Sequence, residues 1–355
     1  MEAVIKAALL TSLLVCAVVY GSSESNAAPG KTTAPRTTVL ALMNNLDYGT
    51  MLAMSTVDGI AVRIAWKILE PAQDNYNWTI IDSAVAAASV TGKKVTLHIF
   101  PTGTGTPSWL YSSQPAASSY TYTSPATGAS VTDPVPWDNV YLTQWSNLIA
   151  AIADHLTTSG MMTYIQAISV TAPVLEMSIV GCSDGRLTPA LAYSRTDYLA
   201  AWQTTISAVQ QAFPASNKFL PVPVDSICKA DFDGPAFYKE LLDYALQLDP
   251  TGFSSFATDL NAQGSWRMNG ILSDISRAPV ALQFIWSASN DPYYRMAGTL
   301  IDAICSGLNT YGGSYFEVYQ DDLSSTVSAT QQAIEAIHTP SLCNKTVDVK
   351  HKSLP

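Results

Sequence analysis

The stretch Val280-Ala281-Leu282-Gln283-Phe284-Ile285-Trp286 indicates the fold class, because Gln283 is the single polar residue in an otherwise apolar run. A strand that is apolar on both faces is typical of a parallel sheet covered by helices on either side. An amphipathic stretch of helical period, Tyr293 to Leu308, follows it. A buried strand followed by a helix is the repeating unit of α/β folds.

Eight segments rich in β-branched and aromatic residues recur along the chain, at Val39 to Met43, Gly59 to Trp66, Lys94 to Phe100, Tyr164 to Thr171, Phe219 to Val224, Phe253 to Asp259, Pro279 to Trp286 and Ser314 to Tyr319. Amphipathic helices are predicted at Thr79 to Val90, after the N-cap Asp138, after the N-cap Ser194, and at Pro235 to Leu248, Tyr293 to Leu308 and Ser325 to Ile337. This alternation predicts an α/β fold, a single-domain (β/α)8 TIM barrel. The alternative, a doubly wound sheet, would carry a glycine-rich phosphate turn after its first strand, and none follows Met43.

Two features depart from a regular barrel. No clear helix is predicted between the first two strands, and Pro101 to Trp137 forms a long insertion after the third. Segments that follow barrel strands lie on the active face, so we expect the aromatic residues of this insertion to line a cleft.

The amino terminus has the layout of a secretory signal. An apolar run, Ala7 to Val19, follows Lys6, and Ser25-Asn26-Ala27 supplies the small residues of a cleavage site. A lipoprotein signal at Cys16 is the less favoured alternative, because Val15 is bulkier than such sites accept. We therefore predict a signal peptide over 1–27, a linker over 28–38, a catalytic barrel over 39–345 and a tail over 346–355, in a secreted or extracytoplasmic protein.

Composition excludes several classes of partner. Lys plus Arg number 18 against 28 Asp plus Glu, which gives a formal charge of -10 without a basic block. Nucleic acids and anionic membranes need clustered cations, so neither is an expected partner. No later segment reaches the about 18 unbroken apolar residues of a membrane span, so no membrane association is expected after processing. No metal-ligand spacing or nucleotide-binding glycine loop occurs, so we expect no metal and no cofactor; oligomeric state stays open.

The cysteines fit an exported protein. Cleavage would remove Cys16 and leave Cys182, Cys228, Cys305 and Cys343, which allow three disulfide pairings. On a barrel, the segments after the fourth and fifth strands lie side by side at one rim. We therefore expect Cys182 to pair with Cys228, and Cys305 with Cys343.

The motifs around the second and third strands carry a family resemblance. From Val57 the chain reads Val-Asp-Gly-Ile-Ala-Val-Arg-Ile-Ala-Trp-Lys-Ile-Leu-Glu-Pro, followed by Asn75-Tyr76-Asn77-Trp78, Gly92-Lys93-Lys94-Val95 and Thr106-Pro107-Ser108-Trp109-Leu110. These motifs resemble the barrel glycoside hydrolases of the β-galactosidase-like kind, related to glycoside hydrolase family 42 and its clan. The resemblance implies a (β/α)8 enzyme that cleaves a β-linked glycoside or polysaccharide with two carboxylates, by a retaining mechanism.

The resemblance places the catalytic acid at the end of the fourth strand. The first carboxylate beyond that strand is Glu176, between the apolar Leu175 and Met177. An apolar setting favours the protonated acid that the leaving oxygen requires. The clan often has Asn immediately before this Glu to hold the 2-hydroxyl of the sugar, and Leu175 stands there instead.

Glu317 is the candidate for the second carboxylate, as nucleophile or base. It lies inside the apolar strand Ser314 to Tyr319, where a charge is costly unless it is paired or faces a polar cavity. The clan carries its nucleophile on the seventh strand, whereas Glu317 belongs to the eighth by our count. Three explanations stay open: a miscounted strand, a displaced carboxylate, or a supporting role for Glu317, with Asp321 and Asp322 as substitutes.

The expected substrate-binding residues surround the strand ends. They are Arg63, Trp66, Trp109, Gln283, Trp286, Tyr319 and Asp322. The tryptophans would stack on sugar rings, and Arg63 could orient a carboxylate or a sugar hydroxyl, or form a structural ion pair.

Two other functions compete with the hydrolase. A carbohydrate-binding barrel without catalysis fits the missing Asn and the displaced Glu. A serine esterase would use Ser183 in Gly181-Cys182-Ser183-Asp184-Gly185, but no strand leads directly into this motif and no oxyanion segment accompanies it.

Overall fold

The computed structural model describes residues 37–43, 45–101, 105–123, 128–173, 194–222 and 234–345. The chain divides into two units, Met1–Pro35 and Arg36–Pro355, and all described residues belong to the second. The proposed signal peptide, most of the linker and the tail lie outside the described residues, so these boundaries stay predictions.

Eight parallel strands close into a barrel, which confirms the predicted (β/α)8 fold. With the two strands of the insertion, they are β1 Thr38–Leu42, β2 Gly59–Ala65, β3 Lys94–Phe100, β4 Ser119–Thr123, β5 Ser130–Pro134, β6 Ile165–Ser169, β7 Asn217–Pro221, β8 Phe253–Leu260, β9 Val280–Phe284 and β10 Gly313–Tyr319. The barrel order is β1-β10-β9-β8-β7-β6-β3-β2. Strands β6, β9 and β10 are therefore the fourth, seventh and eighth of the barrel, and the strand count made from sequence is confirmed.

The helices lie mostly where the amphipathic pattern predicts them. They are α1 Tyr48–Ala53, α2 Trp66–Leu69, α3 Thr79–Val90, α4 Asn139–Thr158, α5 Arg195–Ala212, α6 Gly234–Leu248, α7 Trp266–Asn269, α8 Leu272–Ile275, α9 Leu300–Asn309, α10 Gln320–Leu323 and α11 Ser328–His338. Asp138 and Ser194 cap α4 and α5 through the backbone N–H groups of Tyr141 and Asp197. The gap between the first two strands holds the short α1.

The predicted helix from Tyr293 to Leu308 is wrong over its first seven residues. Tyr294, Ala297 and Gly298 have φ values of 54°, 52° and 157°, which a right-handed helix excludes. The helix begins at Leu300, where the Thr299 hydroxyl accepts a hydrogen bond from the Asp302 backbone N–H at 3.3 Å. Residues before it form part of a loop after β9.

The insertion after β3 has its own structure. A 3-10 turn, Ser108–Tyr111, precedes the antiparallel hairpin of β4 and β5, in which Tyr120 pairs with Asp133. Leu110 and Tyr120 are buried in the core, so the insertion packs onto the barrel.

The barrel interior contains a small apolar cluster. It consists of Leu40, Leu42, Ala61, Ala167, Phe219, Phe256, Ala281 and Tyr315. A larger core lies between strands and helices. Among the described residues, no helix is both long and apolar enough to cross a membrane.

One predicted disulfide is confirmed. Cys305 on α9 is bonded to Cys343 in the 3-10 segment Pro340–Lys345, which ties the end of the domain to its outer helices. The predicted partners Cys182 and Cys228 lie outside the described residues.

Candidate active site

A polar network crosses the interior of the barrel beside the apolar cluster and shares Tyr315 with it. His98 Nε2 lies 2.7 Å from Glu317 Oε1, and Ser169 Oγ lies 2.7 Å from His98 Nδ1. The Tyr315 hydroxyl lies 2.8 Å from the same Glu317 oxygen and 2.9 Å from Thr96 Oγ1. Side chains of β3, β6 and β10 thus meet inside the barrel because each points inward from its strand.

The hydrogen-bond pattern orients the Glu317 carboxyl. With an ionised Glu317 and a neutral His98, Nε2 would donate to Glu317 and Nδ1 would accept a hydrogen bond from the Ser169 hydroxyl. The His98 ring also stacks on Phe256, with centroids 5.4 Å apart. Glu317 is 0% exposed, and its buried Oε2 atom has no hydrogen-bond partner among the described residues. The carboxyl group is therefore held in place through Oε1, and Oε2 stays available for another contact.

Gln283 occupies the adjacent position on the seventh strand. It pairs in register with Glu317 and is 8% exposed, so both side chains face the barrel interior. Because the strand count holds, a miscount no longer explains why the carboxylate lies on the eighth strand. The two remaining explanations are a displaced second carboxylate and a supporting role for Glu317.

Arg63 and Tyr319 lie at the mouth of the barrel, beyond Glu317. The Arg63 guanidinium carbon is 5.9 Å from the centre of the Tyr319 ring, and Arg63 is exposed. Burial raises the pKa of the Tyr319 hydroxyl, and the positive charges of Arg63 and Arg295 offset part of this rise. The structure thus brings together four of the predicted site residues: Glu317, Gln283, Tyr319 and Arg63.

Trp286 belongs to the same rim. The Arg295 guanidinium carbon lies 4.6 Å from the Trp286 ring centre and 5.4 Å from that of Tyr293. Trp286 Nε1 donates to the Asn290 carbonyl at 2.7 Å. One face of this half-buried indole is therefore covered by an arginine, and a sugar would have to use the other face.

The expectation that Trp66 stacks on a sugar is wrong for this structure. Trp66 is 0% exposed, and its ring packs edge-on against Trp109 and Trp145. Its Nε1 donates to Glu70 Oε2 at 2.7 Å, and burial raises the pKa of the Glu70 carboxyl. The helix α2 that begins at Trp66 places the indole in the outer core instead of the cleft.

Trp109 is half-buried and lies beside Trp66. Its Nε1 donates to the Glu70 carbonyl at 2.9 Å. Its ring is partly exposed, so a contact with a sugar is sterically possible and stays a prediction.

Asp322 is a structural residue here and not a contact for substrate. It is 0% exposed and accepts hydrogen bonds from the Ser287 hydroxyl and from the backbone N–H groups of Ala288 and Ser289. These bonds fix the loop after β9 to the start of α10. Asp322 therefore acts on the rim only by holding the loop that carries Trp286.

Glu176 and Ser183 lie outside the described residues, so the predicted acid and the esterase alternative stay predictions.

Five residues of the site were missed by the sequence reasoning: Thr96, His98, Ser169, Tyr315 and Arg295. His98 has the same signal that identified Glu317, a titratable side chain inside an apolar strand, and could have been found. Arg295 lies in the segment that was predicted as helix, which concealed it.

Comparison with known families and structures agrees with the fold. Residues 50–167, from α1 into β6, match the β-galactosidases of glycoside hydrolase family 42. A comparison with curated proteins finds none that matches the chain.

Solved structures with similar folds include glycoside hydrolases. A psychrophilic family 10 endo-β-1,4-xylanase is 12% identical with a TM-score of 0.50, over 86% of this chain and 96% of that one. An intracellular xylanase of Thermoanaerobacterium saccharolyticum, solved with xylotriose, is 14% identical with a TM-score of 0.48, over 84% and 95%. The family match confirms the resemblance, and the chain is a (β/α)8 barrel of the glycoside hydrolase class.

Proposed function

We propose that this glycoside hydrolase barrel is a secreted enzyme that cleaves a β-linked glycoside or polysaccharide with retention of configuration. The observation that carries the proposal is the carboxyl group of Glu317, fixed inside the barrel by His98 and Tyr315 with its Oε2 atom uncommitted. Buried carboxylates need such partners, and a held carboxylate with a spare oxygen is what a nucleophile requires.

In the proposed reaction, Glu176 is the general acid and base, and Glu317 is the nucleophile. Glu176 protonates the leaving oxygen while Glu317 attacks the anomeric carbon and forms a glycosyl-enzyme ester. Glu176, now ionised, then takes a proton from water, which attacks the same carbon and releases Glu317. Arg63, Tyr319 and Gln283 would contact the sugar.

Secretion is supported by two independent features. The apolar run Ala7 to Val19 has the length of a signal peptide core. The Cys305–Cys343 disulfide is of the kind that persists in oxidising compartments.

A carbohydrate-binding barrel without catalysis is the second candidate. It is favoured by the complete burial of Glu317 and by Gln283 on the strand where the clan carries its nucleophile. In this case Glu317, His98 and Ser169 would form a structural network.

Release of reducing sugar from a panel of β-linked glycans tests the proposal. Glu176→Gln should lower turnover by about 100-fold or more on substrates with poor leaving groups, and much less on activated aryl glycosides. Proton NMR of the first-formed product should show the retained anomer. A panel without any released sugar, together with saturable glycan binding, would establish the binding barrel instead.

A further inference from the structure

We propose that Trp286, Tyr293 and Tyr294, on the loop after β9, form an aromatic patch that binds sugar units of a glycan chain beside the mouth of the barrel. The substrate of the proposed reaction is then an oligosaccharide or polysaccharide, and not a single glycoside. This inference rests on the proposed function, because it names the class of substrate for that site. It is carried by two adjacent tyrosines that are exposed on a backbone held in place by hydrogen bonds.

The exposed aromatic side chains of the described residues share one location. They are Phe100, Trp266, Tyr293 and Tyr294, and each lies at the carboxyl end of a barrel strand or on the segment that leaves it. Exposed aliphatic side chains also occur elsewhere, such as Val90 at the end of α3, where the chain has returned to the amino ends of the strands. Aromatic exposure in the described part of the chain is therefore concentrated on the face that carries the candidate active site.

Tyr293 and Tyr294 are the most exposed of these aromatic residues, at 67% and 87%. Their rings forgo the roughly 25 cal/mol per Å² that burial of apolar surface contributes. Tyr294 also has a φ of 54°, in the left-handed region that Gly or Asn adopts more readily than a bulky aromatic residue. Neither the exposure nor this backbone angle benefits the fold, so both point to a ligand.

Hydrogen bonds fix the backbone that carries the two tyrosines. Asp291 accepts the Met296 backbone N–H at 2.7 Å, which closes the turn around them. The Asn261 side chain, just after β8, donates to the Arg295 carbonyl at 3.3 Å. The Ala262 N–H donates to the Met296 carbonyl at 2.9 Å. Rings on such a backbone lose little backbone freedom when a ligand binds, which favours affinity.

The Tyr293 ring is also held by its neighbours. It meets the Trp286 ring edge-on, with centroids 6.0 Å apart and an interplanar angle of 83°. The Arg295 guanidinium carbon lies 5.4 Å from the centre of the Tyr293 ring. Although these contacts orient the ring, most of its surface stays exposed. A sugar ring can pack its C–H face on such a surface while its hydroxyl groups stay in water.

The aromatic patch lies beside the candidate active site. Trp286 is two residues beyond β9, whose Gln283 pairs in register with Glu317. Burial raises the pKa of the Tyr319 hydroxyl, and Arg295 is one of the positive charges that offset this rise, so the loop approaches the rim at Tyr319. A glycan that extends from Glu317 toward β9 would therefore reach the patch with a sugar unit other than the one that is cleaved.

A glycan fits this patch better than a protein partner does. A stable protein interface buries about 800 Å² on each side, whereas one aromatic side chain buries about 150–250 Å². Tyr293 and Tyr294 together supply less than such an interface needs, and the exposed, charged Arg295 directly follows them. A single sugar ring, by contrast, matches a single aromatic ring in size.

The test compares substrates that differ only in chain length. The substrates are β-1,4-linked gluco-, xylo-, manno- and galacto-oligosaccharides, each from the disaccharide to the hexasaccharide, and kcat and KM are measured from the reducing sugar released. Affinity electrophoresis in gels that contain β-glucan, xylan, mannan or galactan measures binding without any need for cleavage. The variants are Tyr293→Ala combined with Tyr294→Ala, the same pair changed to Phe, Tyr294→Gly alone, and Tyr164→Ala.

Tyr164→Ala is the matched control at the other end of the barrel. Tyr164 directly precedes β6, and the Lys94 ammonium nitrogen lies 5.9 Å from its ring centre. It is therefore also an aromatic ring beside a cation, but at the amino ends of the strands. Its replacement removes a ring of the same size far from the candidate active site.

In the parent, kcat/KM for the hexasaccharide should exceed that for the disaccharide by at least about 10-fold in one series, as one stacked ring implies. The Ala pair should reduce this ratio by about 10-fold, mainly through KM, because the patch binds the ground state and the transition state alike. The Phe pair should keep the ratio because the rings remain, and Tyr164→Ala should keep it as well. Affinity for the corresponding polymer should follow the same order.

Tyr294→Gly separates a ligand-binding role from a structural one. Gly adopts the positive φ without strain, so the midpoint of urea unfolding should stay the same or rise while affinity for the polymer falls. A lower midpoint with unchanged affinity for the polymer would make Tyr294 a structural residue and overturn its place in the patch.

Failure of this inference is distinguishable from failure of the proposed function. Cleavage without preference for longer chains, or an equal loss in the Ala pair and in Tyr164→Ala, overturns the patch and leaves the hydrolase intact. Tyrosine-dependent binding of a polymer that is never cleaved supports the patch and overturns the hydrolase. Self-association in sedimentation that the Ala pair abolishes, without any glycan binding, would assign the patch to an interface between copies of this chain and overturn the inference.

Discussion

Glu317→Gln separates the catalytic from the structural role of the buried carboxyl. The amide has the same shape, and its carbonyl oxygen can replace Oε1, which accepts hydrogen bonds from His98 at 2.7 Å and Tyr315 at 2.8 Å. The amide nitrogen then takes the position of Oε2, which is buried and without a partner. The substitution thus removes a charge while keeping the acceptor.

The stability terms nearly cancel. Two hydrogen bonds lose charge assistance, which costs about 1 kcal/mol each, and a buried N–H without an acceptor costs about 1–3 kcal/mol. Removal of a buried charge returns several kcal/mol of desolvation. The free energy of unfolding should therefore change by less than about 2 kcal/mol, as measured by urea unfolding.

Activity, unlike stability, should be lost in Glu317→Gln. If Glu317 is the nucleophile, turnover of both natural and activated aryl glycosides should fall to background, because no leaving group replaces a missing nucleophile. Tyr315→Phe is the matched control: it removes one donor to the same oxygen and should retain measurable turnover. The reasoning is refuted if folded Glu317→Gln keeps its specific activity within about tenfold of the parent.

Three further substitutions test the supporting structure. Asp322→Asn should destabilise the protein by about 2–4 kcal/mol and increase hydrogen exchange in the loop after β9, since it weakens three charge-assisted hydrogen bonds. Asp321→Asn, a control at an exposed neighbour, should change the free energy of unfolding by less than about 0.5 kcal/mol. Replacing Cys305 and Cys343 with Ala should cost about 4 kcal/mol, because the bond closes a separation of 38 residues; an unchanged urea midpoint contradicts this. Asp249→Asn should destabilise by about 2 kcal/mol at pH 7, since it leaves a buried lysine without its partner. The hydrogen bond from that lysine lowers the Asp249 pKa, so the stability is present at neutral pH and lost as pH falls through the lowered pKa; a difference from the parent that does not shrink in acid refutes the assignment.

Strands and caps were predictable because their signals are local. All eight barrel strands lie where β-favouring runs were found, and Asp138 and Ser194 cap the helices predicted from them. The prediction of a helix from Tyr293 was wrong over its first half, because the spacing of hydrophobic residues carries no information about the backbone angle φ. Tyr294 and Ala297 adopt positive φ, which the loop between β9 and α9 requires.

Site residues were less predictable, because a position near a strand end does not give the direction of a side chain. Trp66 directly follows β2, yet α2 turns its ring away from the barrel into a cluster with Trp109 and Trp145. Asp322 lies three residues beyond β10, yet its carboxylate accepts hydrogen bonds from donors of the loop after β9. Glu317 was identified because a charge inside an apolar strand must have a reason, wherever its neighbours lie.

The position of Glu317 on the eighth strand determines which strand of the barrel it lies opposite. In the barrel order, β10 lies four strands from β6 in either direction, whereas β9 lies three strands away by the shorter path. A carboxyl on β10 therefore lies on the strand opposite β6, which precedes Glu176 in the sequence. A separation of about 5 Å would suit direct attack and retention, and roughly 6.5–9.5 Å would admit a water and give inversion. An inverted product would keep the two-carboxylate chemistry and make Glu317 the base. The stereochemistry of the product therefore shows whether a carboxylate on the eighth strand changes the mechanism or only the position of the group.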